Sequence, residues 1–262
     1  MRHSRQQTKE DVLSHSQEEF GPFSKMSLGA GQKELSAGDI NSMIAELRAE
    51  GRLNAPIHRG LSALQWACLQ GLPLFVAALL AAGAAPNGSP QDGGWCRSPL
   101  GMSFSSEAWQ ACADLLLTAG AELDFMDSEK MAPIHYAVFF QRGQEPLRWL
   151  LAKGADPSLA ATSGPRPLHV AVATSNVEAA KILMAAGADP RALTTSDSLA
   201  LEGSAPQPLN ALDLAKGVRP GPSANELIEL LTNAIEALNE REALDASACR
   251  AEAGAVLRPM RI

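Results

Sequence analysis

The pattern A-P-I-H-Y-A at 132–137 returns as R-P-L-H-V-A at 166–171, and a Gly-Ala pair follows each copy, at Gly154-Ala155 and Gly187-Ala188. Looser copies stand at 62–67 and 98–103, closed by Gly83-Ala84 and Gly120-Ala121. Counted from the second residue of the motif, the copies begin at 63, 99, 133 and 167, in steps of 36, 34 and 34. Self-similarity at such a period marks a helical repeat array, in which one unit cannot bury its own apolar face and stacked neighbours share a core. A binding scaffold is therefore the first functional expectation, and the pattern leaves open what is bound.

Each copy reads as a turn followed by two helices. The Pro or Ala position opens the first helix, where proline's missing N–H is not needed. The second helix carries a pair of branched apolar residues: Leu79-Leu80, Leu115-Leu116, Leu150-Leu151 and Ile182-Leu183. Gly83, Gly120, Gly154 and Gly187 then end these helices, as glycine accepts a left-handed backbone most easily.

Composition agrees with thin helical layers. Hydrophobic residues make up 46% of the chain, enough for a sizeable core, but only 5% are aromatic, and the abundant alanine lets helices approach closely. A net charge of −7 argues against a nucleic-acid footprint, which needs clustered positive charge. Cys68, Cys96, Cys112 and Cys249 form no C-x-x-C pair, so neither a zinc ribbon nor a disulfide framework is expected. Cys68 and Cys112 fall in apolar helical runs, where free cysteine packs as a small hydrophobe. No apolar run is long enough to cross a membrane and the N-terminus lacks a signal-peptide core, so the expected address is the cytoplasm.

Three regions are expected. Residues 1–37 lack apolar periodicity and read as disordered. Residues 38–238 form the repeat domain, opened by a covering helix from Ile40 to Glu50, with Asp39 as its N-cap and Ile40, Met43, Ile44 and Leu47 on one face. Residues 239–262 hold the end of a C-terminal helix and a loose tail. That helix reads from 225 to 253, with Leu227, Ile228, Leu231, Ile235 and Leu238 as its buried stripe.

The motif and its spacing resemble those of the ankyrin-repeat family, whose repeats of about 33 residues carry T-P-L-H-x-A near their start. The copies at 132–137 and 166–171 match closely, with Ala132 and Arg166 in place of the threonine. The first copy has Ala63 for proline and Gln65 for histidine, and the second has Gly101 at the histidine position. A fifth, degenerate copy runs from Asn210 to Lys216, 44 residues after the fourth. The resemblance implies an all-α solenoid of about five helix-turn-helix repeats with helical caps. It also implies that His135 and His169 bond backbone groups in the turn region and tie neighbouring repeats. Three departures stand out: an extra residue in the second and third repeats, a glycine-rich loop at 87–97, and an insertion at 191–207. Insertions in repeat arrays gather in loops, often on the binding face.

Catalytic patterns are absent. The stretch 29–33 lacks the spacing of a phosphate-binding loop, 101–105 does not complete G-x-S-x-G, and no H-E-x-x-H occurs. The two motif histidines lack further ligands that would make a metal site, and no cofactor is expected. The chain is read as non-catalytic.

What the resemblance does imply is a continuous groove, built from the turn tips and the exposed face of each first helix. Candidate contacts on the tips are Arg59, Trp95, Arg97, Ser128, Glu129, Met131, Thr162 and Pro165. The residue after the histidine position adds Trp66, Met102 and Tyr136, with inter-repeat packing as the competing reading for that series. Trp, Tyr and Arg anchor many interfaces, each worth about 2 kcal/mol or more when it does. Trp109 and Trp149, among leucines of second helices, are read as core. The expected partner is a protein, with no nucleic acid or membrane involved and the chain a monomer. Two alternatives share the scaffold: an effector acting on host proteins, and a linear motif in the N-terminal segment anchored by passive repeats.

Overall fold

The computed structural model describes residues 36–58, 60–88, 97–128, 130–140, 144–161, 164–194 and 208–256. Among these the fold is all-α, with one two-stranded hairpin. The chain divides into two compact units, Met1–Pro146 and Leu147–Ile262.

The first unit opens with α1 (Ala37–Ala49), and its cap differs from the expected one. Ser36, not Asp39, is the N-cap. The Ser36 hydroxyl accepts the Asp39 N–H at 3.2 Å, and the Asp39 carboxylate accepts the Ser36 N–H at 3.3 Å. This reciprocal box satisfies two N–H groups that the first turn leaves open. Ile40, Met43, Ile44 and Leu47 are all buried as the periodicity predicts. A short hairpin, β1 (Pro56–His58) and β2 (Leu61–Ser62), leads into α2 (Ala63–Gln70) and α3 (Pro73–Ala81). Helix α1 packs on α3, and the Arg48 guanidinium donates to the Ala82 carbonyl at 2.7 Å, capping the end of that helix.

The next repeats supply α4 (Pro99–Ser103) with α5 (Trp109–Thr118), and α6 (Pro133–Phe139) with α7 (Glu145–Ala152). First helices stack on first helices, α2 on α4 and α4 on α6, while α3 packs on α5. The extra residue of the second and third repeats lengthens the turn between their helices. Residues 71–72 make that turn in the first repeat and 104–108 in the second, while 141–143 of the third lie outside the described residues.

In the second unit α7 is followed by α8 (Pro167–Ala173) with α9 (Val177–Ala185), and α10 (Ala211–Gly217) with α11 (Pro222–Val256). Asn176 and Asn210 cap α9 and α10 through their side-chain oxygens, at 3.1 and 2.8 Å. Helix α8 packs on α9 and α10, and both α9 and α10 pack on α11. Of the expected stripe on α11, Leu227 and Leu231 are buried and Ile228, Ile235 and Leu238 half-buried. The helix is one unbroken element across position 238.

The second helices of the first four repeats end alike. Gly83, Gly120, Gly154 and Gly187 have φ of +97°, +92°, +95° and +100°. The alanine after each donates back to the buried leucine five residues earlier, from Ala84 to Leu79 at 3.0 Å through Ala188 to Leu183 at 3.0 Å. Leu79, Leu116, Leu150 and Leu183 are fully buried, each worth about 1.5–3 kcal/mol relative to exposure.

Candidate functional site

The tips ahead of the third and fourth motifs share one hydrogen-bond pattern. In the third repeat the Asp127 N–H donates to the Met131 carbonyl at 3.1 Å and the Lys130 N–H to the Asp127 carbonyl at 2.8 Å. The fourth repeat has the same pair of bonds, Ala161 to Pro165 at 2.9 Å and Gly164 to Ala161 at 2.9 Å. The residue two before the motif takes a left-handed backbone, Gly60 at φ +78°, Lys130 at +61° and Gly164 at +117°.

The fourth residue of the motif fastens its own helix start to the next tip in the first and fourth repeats. In the fourth repeat, His169 Nδ1 accepts the Arg166 N–H at 3.2 Å, so the ring proton sits on Nε2, which donates to the Leu209 carbonyl at 3.0 Å. Burial is the main cause that lowers the His169 pKa to about 4, holding the ring neutral. In the first repeat Gln65 does the same work. Its Oε1 accepts the Ser62 N–H at 2.7 Å and its Nε2 donates to the Arg97 carbonyl at 2.6 Å. His135 Nδ1 likewise accepts the Ala132 N–H at 3.1 Å.

The second repeat solves the problem differently. A Cβ on Gly101 would lie 2.5 Å from the Tyr136 ring, so only glycine leaves that ring its place. The Tyr136 hydroxyl donates to Asp127 Oδ2 at 2.5 Å. The same carboxylate accepts the Ser98 N–H at 3.3 Å and the Met131 N–H at 3.0 Å. Asp127, itself buried, thus joins the second motif to the third tip. The sequence reading missed it, because Asp127 lies outside the six-residue motif. The glycine at a histidine position followed by a tyrosine one repeat later was the available signal.

The candidate contacts separate into three groups. Trp66, Met102 and Tyr136 are buried, at 6%, 3% and 4% exposure, which places this series in inter-repeat packing. Within their own repeats Trp66 meets Phe75 edge-on at 6.5 Å and Tyr136 stacks on Phe140 at 6.0 Å, while the Tyr136 ring also lies against Gly101 of the preceding repeat. Ser128 is exposed, and Arg97, Met131 and Pro165 are half-buried on the tips. Arg59, Trp95, Glu129 and Thr162 lie outside the described residues. Trp109 and Trp149 are half-buried rather than core, the first edge-on to Phe104 at 5.9 Å and the second beneath Lys153 Nζ at 5.5 Å.

One surface residue escaped the sequence reading. Phe139, at the end of α6, is 55% exposed and rests edge-on against Phe140 at 5.8 Å. It lies three positions after Tyr136 on the same helix, so helical spacing from the buried ring pointed to it. The serines on the corresponding stretch of the second repeat turn inward. Ser105 donates to the Met102 carbonyl at 2.8 Å and Ser106 to the Ser103 carbonyl at 3.0 Å. That end of the first helices therefore asks little hydrogen bonding of a partner.

Cys68 and Cys112 are buried, as expected of cysteines in apolar helical runs. Burial pushes the Cys68 thiol well up, with a further push from Cys112, and pushes Cys112 up to about 11. Both stay protonated, which suits packing and not nucleophilic attack. No group of three or more potential metal ligands occurs among the described residues, and no helix there is long and apolar enough to cross a membrane.

Successive helix pairs at a near-constant repeat spacing, the first four closed by left-handed glycines, define a helical-repeat protein. Residues 102–194 match the family model for ankyrin repeats, in three copies, so this stretch of the chain carries ankyrin repeats. Protein PhlB of Serratia liquefaciens is 34% identical over 155 residues. The match takes in 59% of this chain and 66% of that relative, just under two thirds of its length. Ankyrin repeats generally mediate protein–protein interaction.

Proposed function

We propose that this chain is a non-catalytic, monomeric protein-binding module that holds a protein partner on the tips and first-helix faces of its first unit. The observation that carries this reading is the fastening of the tips from within. Gln65 fixes the carbonyl of Arg97, and Asp127 fixes the backbone of Met131, while Ser128 at the third tip stays exposed. A surface ordered before contact loses little entropy on binding. Arg59, Trp95, Arg97, Ser128, Glu129 and Met131 are the proposed contacts of that unit, together with Phe139; Thr162 and Pro165 are candidates on the second unit by itself. Trp66, Met102 and Tyr136 support them from the packed layer beneath. The proposed setting is the cytoplasm.

A quantitative pull-down from source-organism lysate tests this reading. It compares the wild type with Trp95→Ala/Arg97→Glu and with Phe139→Ser, each first shown to melt like the wild type. A partner captured by the wild type and lost from either variant places the contact on the tips and on α6. A partner retained equally by all three moves the site elsewhere. Deleting residues 1–32 in parallel separates the repeats from the N-terminal segment as the source of binding.

A further inference from the structure

We infer that Asn87 is a site of spontaneous covalent modification, converting through a cyclic imide to aspartate and isoaspartate at a rung between neighbouring repeats of the first unit. Among the asparagines of the chain, Asn87 alone is followed by glycine. Glycine has no Cβ to shield its backbone nitrogen, and that nitrogen is the nucleophile.

In the reaction, hydroxide removes the Gly88 amide proton and the nitrogen attacks Cγ of Asn87. The new C–N bond closes the imide ring while the Cγ–Nδ2 bond breaks, and the side-chain nitrogen leaves as ammonia after taking a proton from water. Water then opens the ring. Addition at Cγ gives ordinary aspartate. Addition at the former backbone carbonyl leaves the chain running through Cγ, which is isoaspartate, with one more methylene in the backbone. The net change is amide plus water to carboxylate plus ammonium, and it needs no oxidant and no enzyme.

The structure shows what this conversion would disturb. Asn87 Oδ1 accepts the Glu122 N–H at 2.9 Å, directly after the Gly120-Ala121 pair. The preceding repeat has the same rung, in which Asn54 Oδ1 accepts the Ala85 N–H at 2.8 Å after Gly83-Ala84. Alanine follows Asn54, so that rung is chemically durable. Aspartate at position 87 keeps the accepting oxygen in place, whereas isoaspartate displaces it by a methylene and loses the rung. In the folded chain both reacting groups are held, because the Gly88 N–H donates to the Ala85 carbonyl at 3.0 Å. Cyclisation therefore waits on local opening of this turn, and its rate reports that opening.

The test incubates the folded full chain and the urea-unfolded chain side by side in mildly alkaline buffer. Peptide mass spectrometry maps asparagine conversion, and enzymatic carboxyl methylation scores isoaspartate. In the unfolded chain Asn87 converts roughly tenfold faster than any other asparagine, because glycine exposes the attacking nitrogen. In the folded chain it converts more slowly and still ahead of the others. Folded protein enriched in isoaspartate at position 87 melts below fresh protein, Asn87→Asp melts with fresh protein, and Asn87→Gln gains no isoaspartate there. An Asn87 left intact in the folded chain while the unfolded chain is consumed would overturn the proposal. So would an isoaspartate fraction that melts like fresh protein.

Discussion

In the first unit Gln65 accepts the N–H that opens its own helix and donates to the next tip at Arg97; in the second unit His169 accepts from Arg166 and donates to Leu209. The two side chains differ in chemistry and agree in reach. Each presents one acceptor to a backbone N–H three residues back and one donor to a carbonyl a repeat away. The position selects for that pair of functions, and histidine is one way to supply it. The difference lies in titration: Gln65 is neutral at every pH, while His169 must stay unprotonated for Nδ1 to accept. Between these two, the second repeat abandons the position at Gly101 and hands the fastening to Asp127 and Tyr136.

The largest expected effect comes from breaking that third solution. Asp127→Ala leaves the Tyr136 hydroxyl and the Ser98 and Met131 N–H groups without their acceptor, and buried unsatisfied groups cost about 1–3 kcal/mol each. A loss of about 4 kcal/mol is expected from denaturant unfolding, with incomplete additivity. Gly101→Ala comes next. Its Cβ at 2.5 Å from Tyr136 forces the ring to shift, a cost of about 2 kcal/mol in a packed core.

The pH dependence sharpens the contrast between Gln65 and His169. The folded pKa of His169 lies at about 4, below its ordinary 6.5, so the unfolded chain binds more protons in that interval. Stability from this group is fully present above pH 6.5 and is lost as pH falls towards 4, by about 3 kcal/mol. His169→Gln copies the first repeat and should remove this part of the acid slope while keeping stability near neutral pH. Urea melts at several pH values measure both. The smallest effect is a gain: Lys130 holds φ at +61°, and Lys130→Gly should raise stability by about 1 kcal/mol by relieving the left-handed strain.

The repeat spacing, the helix pairs and the buried face of α1 could be read from the chain because they rest on periodicity, which one sequence displays fully. The cap of α1 was misplaced by three residues because Ala37 and Gly38 carry no apolar signal, although Ser36 and Asp39 spell the capping box. The candidate site was less legible. Residue type drew attention to Trp66 and Tyr136, yet their helical position turns them inward. Phe139 was passed over because it follows the motif. Burial depends on which repeat lies alongside, and a motif does not encode that.

The central claim is that the tips are fixed in advance by residues a partner cannot reach, and Gln65 tests it most directly. With the partner captured by the wild type as probe, affinity is measured for Gln65→His and Gln65→Ala, both confirmed as folded. Gln65 is 3% exposed, so neither change alters a contact. Gln65→His, which keeps both bonds, should bind like the wild type, and Gln65→Ala should bind more weakly because the tip at Arg97 is released. Equal binding by both variants would contradict the account.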